Sequence, residues 1–292
     1  MSINQTPFIR KLLALVLLLL LTLGTCKGLV AIQSKELIRT PQPEEVAFSS
    51  GSLVLHGFIY KPEGKGLFPA IVNNHGSEKL PGQERAIAKL FVSKGYVVFV
   101  PHRRGQGRSR DQGEYIMDVI RREPQKTRGK KFVELQDIHQ QDVIAALSYL
   151  KKLPYVDQRR IVMSGCSFGG IQTVLATQKP LGLRGAIAFA PAAMSWASYP
   201  EVRSRLIQAV RKATVPILLI QAENDYDLTP TKTMAAVLEK ANKPYKLLIF
   251  PAFGKTHAQG HGVFCSQGEQ VWGKDVLSFL ESVMPKILFK HS

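Results

Sequence analysis

Six short apolar runs, separated by stretches long enough to form helices, constrain the fold of this chain more than any other feature. The runs are nearly continuous in aliphatic and aromatic residues, which is typical of strands buried on both faces of a parallel sheet. They are residues 70–74, 96–100, 161–164, 185–190, 215–220 and 246–250. Helix-length segments between them are 83–94, 134–152, 168–179, 230–241 and 269–283. This order predicts an α/β fold with a mostly parallel central sheet and helices on both faces.

Three segments depart from the regular alternation. Residues 46–49 and 53–60, separated by Ser-Gly-Ser, predict an antiparallel hairpin at the start of the domain. A βα unit needs roughly 30 residues, and the interval between the strands that begin at 96 and 161 is about 30 residues longer than that. This surplus, residues 102–133, carries ten Arg and Lys against four Asp and Glu, and we expect it to form a basic insertion near the active site and a wall of its pocket. The segment 192–214 is too short for a large cap domain.

The first 27 residues predict where the protein goes. Arg10 and Lys11 precede the uncharged run 12–26. As a helix this run spans about 22 Å, which is short of the roughly 30 Å hydrocarbon core of a membrane. A basic start followed by a short apolar run is typical of a signal peptide, so we predict export to the periplasm or the medium. Residues 28–44, which contain two prolines, then predict a linker to a domain at 45–290.

The end of this leader offers an alternative to a cleaved signal peptide. Leu23-Gly24-Thr25-Cys26 resembles a bacterial lipobox, in which the cysteine is lipidated after cleavage. Thr25 departs from the Gly, Ala or Ser that usually precedes that cysteine. The resemblance implies a membrane or lipid anchor at Cys26.

The net charge of +17 admits three kinds of partner: nucleic acid, an anionic membrane surface and an acidic substrate. Removal of the leader would leave +14, so the basicity belongs to the domain. Nucleic acid is disfavoured because the sequence shows no zinc-ligand spacing, helix-turn-helix signal or aromatic–basic interleaving. Scattered His and Cys residues predict no metal and no cofactor. The charge favours association with a membrane surface or an anionic small-molecule substrate.

The segment 161–170 carries the motif with the clearest chemistry. A buried strand leads into Gly165-Cys166-Ser167-Phe168-Gly169, and a helical stretch follows. In a strand–turn–helix context, G-x-S-x-G places the serine on a strained turn with its hydroxyl clear of the sheet. Cys166 is the rival nucleophile, but it occupies an x position, where we expect its side chain to lie in the core. The motif predicts Ser167 as the nucleophile.

A serine nucleophile needs a base and an acid that orients the base, in the chain order Ser, acid, His. Three histidines follow the motif. His291 is penultimate and is discounted. His261 is favoured as the base because it lies between two glycines in a loop after the last strand. His257, in the same loop, remains the alternative.

The acid is expected at the carboxyl end of the strand at 215–220. Asp225 is favoured there, with Asp227 and Glu223 as alternatives. Asp227 has a structural interpretation as the cap of the helix that Pro230 opens.

The tetrahedral intermediate of acyl transfer needs backbone donors. We expect the amide of Phe168 to be one, and Ser77, in the His-Gly-Ser turn after the first buried strand, to supply the other. His75 is predicted to order that turn. Residues that we expect to bind substrate are Arg103, Arg104 and Trp196.

These motifs occur together in a known superfamily. The chain resembles α/β-hydrolases, specifically the dienelactone hydrolase-like and prolyl oligopeptidase-like serine hydrolases. The resemblance rests on NNHGS at 73–77, PHRRGQGRS at 101–109, PYVDQRRIVMSGCSFGG at 154–170, QAENDYDLTP at 221–230 and GHGVF at 260–264. It implies an α/β-hydrolase fold without a large cap, in which Ser167, Asp225 and His261 are nucleophile, acid and base.

Two departures limit what the resemblance implies. Dienelactone hydrolases proper use Cys as nucleophile where this chain has Ser167, so lactone substrates do not carry over. Prolyl oligopeptidases carry a large propeller, for which 292 residues leave no room.

Three function classes follow. We predict first an exported serine esterase that works through an acyl-enzyme, second a serine peptidase or amidase, and third a non-catalytic membrane-associated binding protein on a hydrolase scaffold. The sequence leaves open whether Cys166 and Cys265 pair, and it does not give the oligomeric state.

Overall fold

The strands that the structure describes form one eight-stranded sheet. The computed structural model describes residues 42–285. Its strands are β1 Glu44–Ser50, β2 Leu53–Tyr60, β3 Phe68–Asn74, β4 Val97–Pro101, β5 Val156–Cys166, β6 Gly185–Phe189, β7 Ile217–Ala222 and β8 Tyr245–Phe250. Their order across the sheet is β1-β2-β4-β3-β5-β6-β7-β8. The pairs β1–β2 and β2–β4 are antiparallel and all the others are parallel. The predicted α/β fold, with its N-terminal hairpin, is confirmed.

Helices cover both faces of this sheet. Those that the structure describes are α1 Arg85–Val92, α2 Ile116–Arg122, α3 Gln125–Lys151, α4 Phe168–Ala176, α5 Pro200–Arg211, α6 Thr229–Lys240, α7 Phe264–Gln267 and α8 Glu269–Val283. On one face Phe91 of α1 and Trp272 of α8 pack against the sheet. On the other face α3 packs against the first half of the sheet, and α4, α5 and α6 pack against the second half. Within residues 42–285 no helix has both the length and the hydropathy to cross a membrane.

The central strand β5 shows why the apolar runs are continuous. Val162 points into the core beneath α1 and α8, whereas Ile161 and Met163 point into the core beneath α3. All three are fully buried. Because successive side chains of a strand point to opposite faces, a strand covered on both faces needs an apolar residue at every position.

The basic insertion at 102–133 is more regular than its sequence indicates. It contains a short 3-10 turn at Gly107–Ser109, helix α2 and the first third of α3. The helix predicted at 134–152 therefore begins nine residues earlier, at Gln125. In the nine residues that the prediction missed, only Gly129 and Phe132 are buried, so no apolar period marks this part of the helix.

Residues 192–214 form helix α5 and a turn before it, and no large cap covers residues 42–285. The predicted leader at 1–27, with Cys26, lies outside the described residues, as do nearly all of the linker and His291. The last predicted linker residue, Glu44, is the first residue of β1.

Candidate active site

Ser167 lies on a sharp turn between β5 and α4. Its backbone has φ 55° and ψ −116°, a conformation that L-residues rarely adopt and that costs about 1–3 kcal/mol. The flanking glycines permit the turn: a Cβ on Gly165 would lie 2.5 Å from the Gly169 carbonyl oxygen, and one on Gly169 would lie 2.1 Å from the Asn74 carbonyl oxygen. The Ser167 amide donates to the Phe189 carbonyl at 2.9 Å. The motif thus forms the strained turn that its sequence predicts.

The structure joins His261 to Asp225. His261 Nδ1 lies 2.8 Å from Asp225 Oδ1, and both residues are buried. Asp225 also accepts hydrogen bonds from Gln221 Nε2 at 2.8 Å and from the Tyr226 amide at 2.6 Å. These two donors fix the carboxylate, which in turn fixes the imidazole ring. His261 Nε2 is buried and has no hydrogen-bond partner within residues 42–285, and His261 lines the same cavity as Ser167.

The alternative residues lie elsewhere. His257 is exposed, and its Nδ1 lies 2.9 Å from the Asn224 carbonyl oxygen. Asp227 accepts the Thr229 amide at 2.7 Å and so caps the start of α6, as its structural interpretation requires. Glu223 is exposed. The geometry therefore favours His261 and Asp225 over these three residues.

A cavity of about 660 Å³ opens above Ser167. Its walls come from the loop after β3, the start of α1, helix α2, the turn before α5 and the segment that carries His261. The insertion supplies Tyr115, Met117 and Arg121. The insertion therefore forms a wall of this cavity.

The predicted oxyanion donors lie on two elements that meet at the cavity. Phe168 is the first residue of α4, where a backbone N–H has no carbonyl partner within the helix. Ser77 lies in the loop after β3 and lines the cavity. A Cβ on the preceding residue, Gly76, would lie 3.5 Å from Ser167 Cβ, which shows how closely this loop approaches the nucleophile.

Buried side chains from the insertion hold that loop. Arg103 Nη2 donates to the carbonyl oxygens of His75 at 2.8 Å and Gly76 at 2.6 Å. The Tyr115 hydroxyl donates to the Ser77 carbonyl at 2.6 Å. A trans peptide is planar, so its C=O and N–H point in opposite directions. The Gly76 carbonyl and the Ser77 N–H belong to one peptide. Because Arg103 holds that carbonyl, the Ser77 N–H points away from Arg103.

The structure corrects the three predicted substrate contacts. Arg103 is 1% exposed, with its guanidinium against the Phe168 ring, and it does not line the cavity. Arg104 binds Asp142 through Nε at 2.9 Å and Nη2 at 2.6 Å. Trp196 is buried in the core beneath α5. The sequence places two arginines after β4, but only tertiary packing determines that both point away from the cavity.

The charges that line the cavity do not favour an anionic substrate. The cavity is lined by one positively charged side chain, Arg121, and by two acidic side chains, Glu78 and Glu84. Burial raises the pKa of Glu84 to about 7, and the nearby Glu78 carboxylate adds to this shift. Glu78 also accepts the Gly76 amide at 3.2 Å.

Cys166 does not simply fill the core. It is partly exposed, it lines the cavity, and it forms a disulfide with Cys265, with 6.1 Å between their Cα atoms. Cys166 packs against the core beneath α1 and α8, as expected, and the turn also brings this side chain next to the segment that carries His261.

His75 is buried, and its Nε2 accepts the Arg103 amide at 3.3 Å. Burial, with the nearby Arg103 charge, holds the pKa of His75 well below its usual range. A neutral imidazole in this position orders the loop, as predicted. In residues 42–285 no group of three or more His, Cys, Asp or Glu side chains is arranged to hold a metal ion.

Comparison with known proteins identifies the family. A model of the dienelactone hydrolase family matches residues 55–283, well over half of the chain. The chain belongs to the dienelactone hydrolase family. This family member is 33% identical over 148 residues to the quorum-quenching protein AidA of Acinetobacter baumannii (strain MDR-ZJ06), a match that covers 49% of this chain and 42% of that protein.

Solved structures share the fold of this dienelactone hydrolase family member. It superimposes on Pyrococcus horikoshii acylaminoacyl peptidase with a TM-score of 0.64 and 20% identity, over 84% of this chain and 42% of the peptidase. A structure from Klebsiella pneumoniae subsp. pneumoniae MGH 78578, assigned as a dienelactone hydrolase, gives a TM-score of 0.60 and 17% identity, over 82% and 98% of the two chains. At these identities the likeness shows the fold. Together, family and fold support a hydrolase of the serine type.

Sequence reasoning missed several residues of the site. Tyr115 had a detectable signal, since it is an aromatic residue in the insertion already expected to reach the pocket. Glu78, Glu84 and Met194 carried no signal, because only the folded loops bring them to the cavity.

Proposed function

We propose that the protein is a serine hydrolase that cleaves a carboxylic ester, with Ser167 as nucleophile, His261 as base and Asp225 as the acid that orients the base. The observation that carries this proposal is the arrangement at the cavity. A strained serine and a buried imidazole line the same cavity. The imidazole Nδ1 is fixed by a carboxylate, and its Nε2 has no hydrogen-bond partner within the described residues.

Acylation follows from this arrangement. Ser167 Oγ attacks the ester carbonyl carbon while His261 Nε2 takes the hydroxyl proton. Asp225 holds the ring in the tautomer with a proton on Nδ1 and stabilises the imidazolium that forms. The carbonyl oxygen becomes an oxyanion, which the N–H groups of Phe168 and Ser77 stabilise. His261 then protonates the leaving alkoxide, and an acyl-enzyme remains.

Deacylation repeats these steps with water as the nucleophile. His261 Nε2 takes a proton from water, the tetrahedral intermediate forms again at the oxyanion donors, and Ser167 Oγ leaves with the proton from His261. The carboxylic acid is released and the free serine is restored.

Labelling by a fluorophosphonate tests the assignment of the nucleophile. Ser167→Ala is expected to abolish both labelling and the hydrolysis of p-nitrophenyl acetate, since loss of the nucleophile costs several orders of magnitude. His261→Ala should lower kcat far more than the matched variant His257→Ala. Ester hydrolysis that survives in Ser167→Ala would refute the proposal. A wild-type protein that neither labels nor hydrolyses any ester would favour a binding protein on a hydrolase scaffold.

A peptidase or amidase activity is the second candidate. It is favoured by the Glu78 carboxylate at the cavity and, above pH 7, by that of Glu84, because a free substrate amine would be attracted to these charges. Rates for p-nitrophenyl esters of graded chain length, compared with aminoacyl p-nitroanilides, decide between the two. Cleavage of the anilides without cleavage of the esters would replace the esterase assignment.

We also propose that the protein is exported. The uncharged run 12–26 after two basic residues supports export. The Cys166–Cys265 disulfide supports it independently, since disulfides persist in oxidising compartments and are rare in the cytosol.

A further inference from the structure

The disulfide joins the two segments that carry the proposed nucleophile and base. Cys166 is the residue immediately before Ser167. Cys265 follows His261 by four residues along a helical segment, which runs from the π-helical turn Gln259–Val263 into α7. Residues four apart on a helix lie on the same face. His261 and Cys265 accordingly line the same cavity.

Hydrogen bonds attach the His261 segment to the acid and not to the nucleophile. The segment 251–268 connects β8 to α8, and 18 residues are many for a connection between a strand and a helix. Asn224, the neighbour of Asp225, donates to the carbonyl oxygens of Phe253 at 3.0 Å and Thr256 at 3.1 Å. It also accepts the Phe253 amide at 2.9 Å. These bonds, with the one between His261 and Asp225, hold the segment to the end of β7.

The nucleophile side has no comparable set of hydrogen bonds to this segment. Among the residues that the structure describes, no hydrogen bond joins the segment 251–268 to residues 164–168. Within the segment, Phe264 stacks on Phe250 and Phe253, which belong to β8 and to the segment itself. Phe264 and Cys265 are buried in the same core as Phe189, whose carbonyl accepts the Ser167 amide. The disulfide between Cys166 and Cys265 adds a covalent cross-link to this packing.

We propose that the Cys166–Cys265 disulfide is a positioning element that holds His261 Nε2 within reach of Ser167 Oγ. The hydrolase then reaches its full kcat only when these cysteines are oxidised. The inference rests on the proposed roles of Ser167 and His261. Proton transfer requires about 2.6–3.2 Å between these atoms, and a displacement of about 1 Å can cost roughly 100-fold in rate. Without the bond, the hydrogen bonds to the end of β7 and the core packing of Phe264 still hold the segment, and we expect a small shift of this size at His261 and no unfolding of the segment.

The bond can be opened by a dithiol. A thiolate of the dithiol attacks one sulfur and releases the other cysteine as a thiolate, and the second thiol then displaces the first cysteine. Two electrons and two protons pass to Cys166 and Cys265, and the dithiol closes to its own disulfide. Cys166 lines the open cavity and is partly exposed, so a small reductant has a path to it.

The test compares kcat and KM for p-nitrophenyl acetate in the oxidised protein, in the protein reduced by dithiothreitol, and in the double variant C166A/C265A. We expect reduction and the double substitution each to lower kcat about 10- to 100-fold, with KM changed less than threefold. Reoxidation of the reduced wild-type protein should restore its kcat. Dithiothreitol should have no effect on the double variant.

A fourth sample tests whether the disulfide acts through the base. His261→Ala in the oxidised state is expected to have a low residual kcat that reduction does not lower further, because two changes that remove the same function are not additive. A further loss of tenfold or more on reduction of His261→Ala would show that the disulfide acts elsewhere.

Two other results would overturn the inference. One is a reduced protein that keeps its kcat. The other is a loss of near-UV circular dichroism that accompanies the loss of activity, since the disulfide would then support the whole fold and not the site. Failure of the proposed function is distinguishable from both, because the oxidised wild type would then be inactive and unlabelled by the fluorophosphonate.

Discussion

At the scale of single residues, Arg103 has the clearest indirect effect on the proposed chemistry. Arg103→Met removes the donor that holds the His75 and Gly76 carbonyls, so the Ser77 N–H is no longer directed by that bond. Loss of one oxyanion donor costs about 100- to 1000-fold in kcat. Because the Phe168 donor and part of the loop's anchoring remain, we expect a loss of about 10- to 100-fold in kcat for ester hydrolysis.

Arg108→Met is the matched control for this substitution. Arg108 belongs to the same insertion but pairs with Glu45 at the surface, so its replacement should leave kcat unchanged. Equal kcat in Arg103→Met and wild type would refute the role of Arg103. The free energy of unfolding in urea must be measured in parallel, since the buried carbonyls lose a partner worth about 1–3 kcal/mol.

Two buried histidines predict a dependence of stability on pH. Burial lowers the pKa of His102 to about 4 and that of His139 to about 3, from 6.5. His102 is held neutral in this structure, with its Nδ1 accepting the Arg108 amide at 2.9 Å. The unfolded chain therefore binds more protons than the folded one below pH 6.5. The stabilisation that these residues give above pH 6.5 is lost as the pH falls towards 4, by about 1.4 kcal/mol per pH unit for each imidazole.

Urea unfolding between pH 7 and pH 4 measures this slope. His139→Leu removes one titrating group, so its unfolding free energy should fall less steeply by about 1.4 kcal/mol per pH unit. His257→Leu, at an exposed position, is the comparison variant. The same slope in His139→Leu and wild type would show that His139 is not responsible.

At the scale of elements, the turn between β5 and α4 depends on close contact with β3. In Gly169→Ala the new Cβ meets the backbone oxygen of Asn74 at 2.1 Å, so the helix and the strand must separate. We expect destabilisation by about 3 kcal/mol or more, with loss of fluorophosphonate labelling at Ser167. In Gly82→Ala the new Cβ would meet its nearest atom at 3.9 Å, so this variant should keep both stability and labelling. Wild-type stability in Gly169→Ala would contradict the packing described.

The elements differ in how well their sequences predict them. Strand β5 is predictable in its second half, because Ile161, Val162 and Met163 are apolar in succession and a glycine turn follows. The first nine residues of α3 are not predictable, because only Gly129 and Phe132 are buried there and they show no apolar period. Gly129 is buried because Glu201 of α5 packs against it, a contact that belongs to the tertiary structure.

At the scale of the whole molecule, the leader makes a prediction about location. If residues 1–27 direct export, the full chain should be found outside the cytoplasm, and a chain without them should remain inside with Cys166 and Cys265 reduced. Cell fractionation followed by thiol alkylation measures both properties. Recovery of the full chain in the cytoplasm with free thiols would refute export.

The same experiment distinguishes a cleaved leader from an anchored one. Cys26→Ala should abolish labelling by radioactive palmitate and release the protein from the membrane fraction if Cys26 is lipidated. If the leader is simply cleaved, Cys26→Ala should leave a soluble exported protein unchanged.

The sequence by itself determined the α/β order of elements, the strained turn at Ser167 and the positions of Asp225 and His261 after their strands, because buried strands and glycine turns impose local patterns. Tertiary structure alone decided that Arg103 holds the loop after β3, that Arg104 pairs with Asp142, and that Glu78 and Glu84 line the cavity. It also brought Cys166 to Cys265, 99 residues further along the chain. The physical reason is that the direction of a side chain after a strand depends on which loops pack over it, and such contacts leave no local pattern in the sequence.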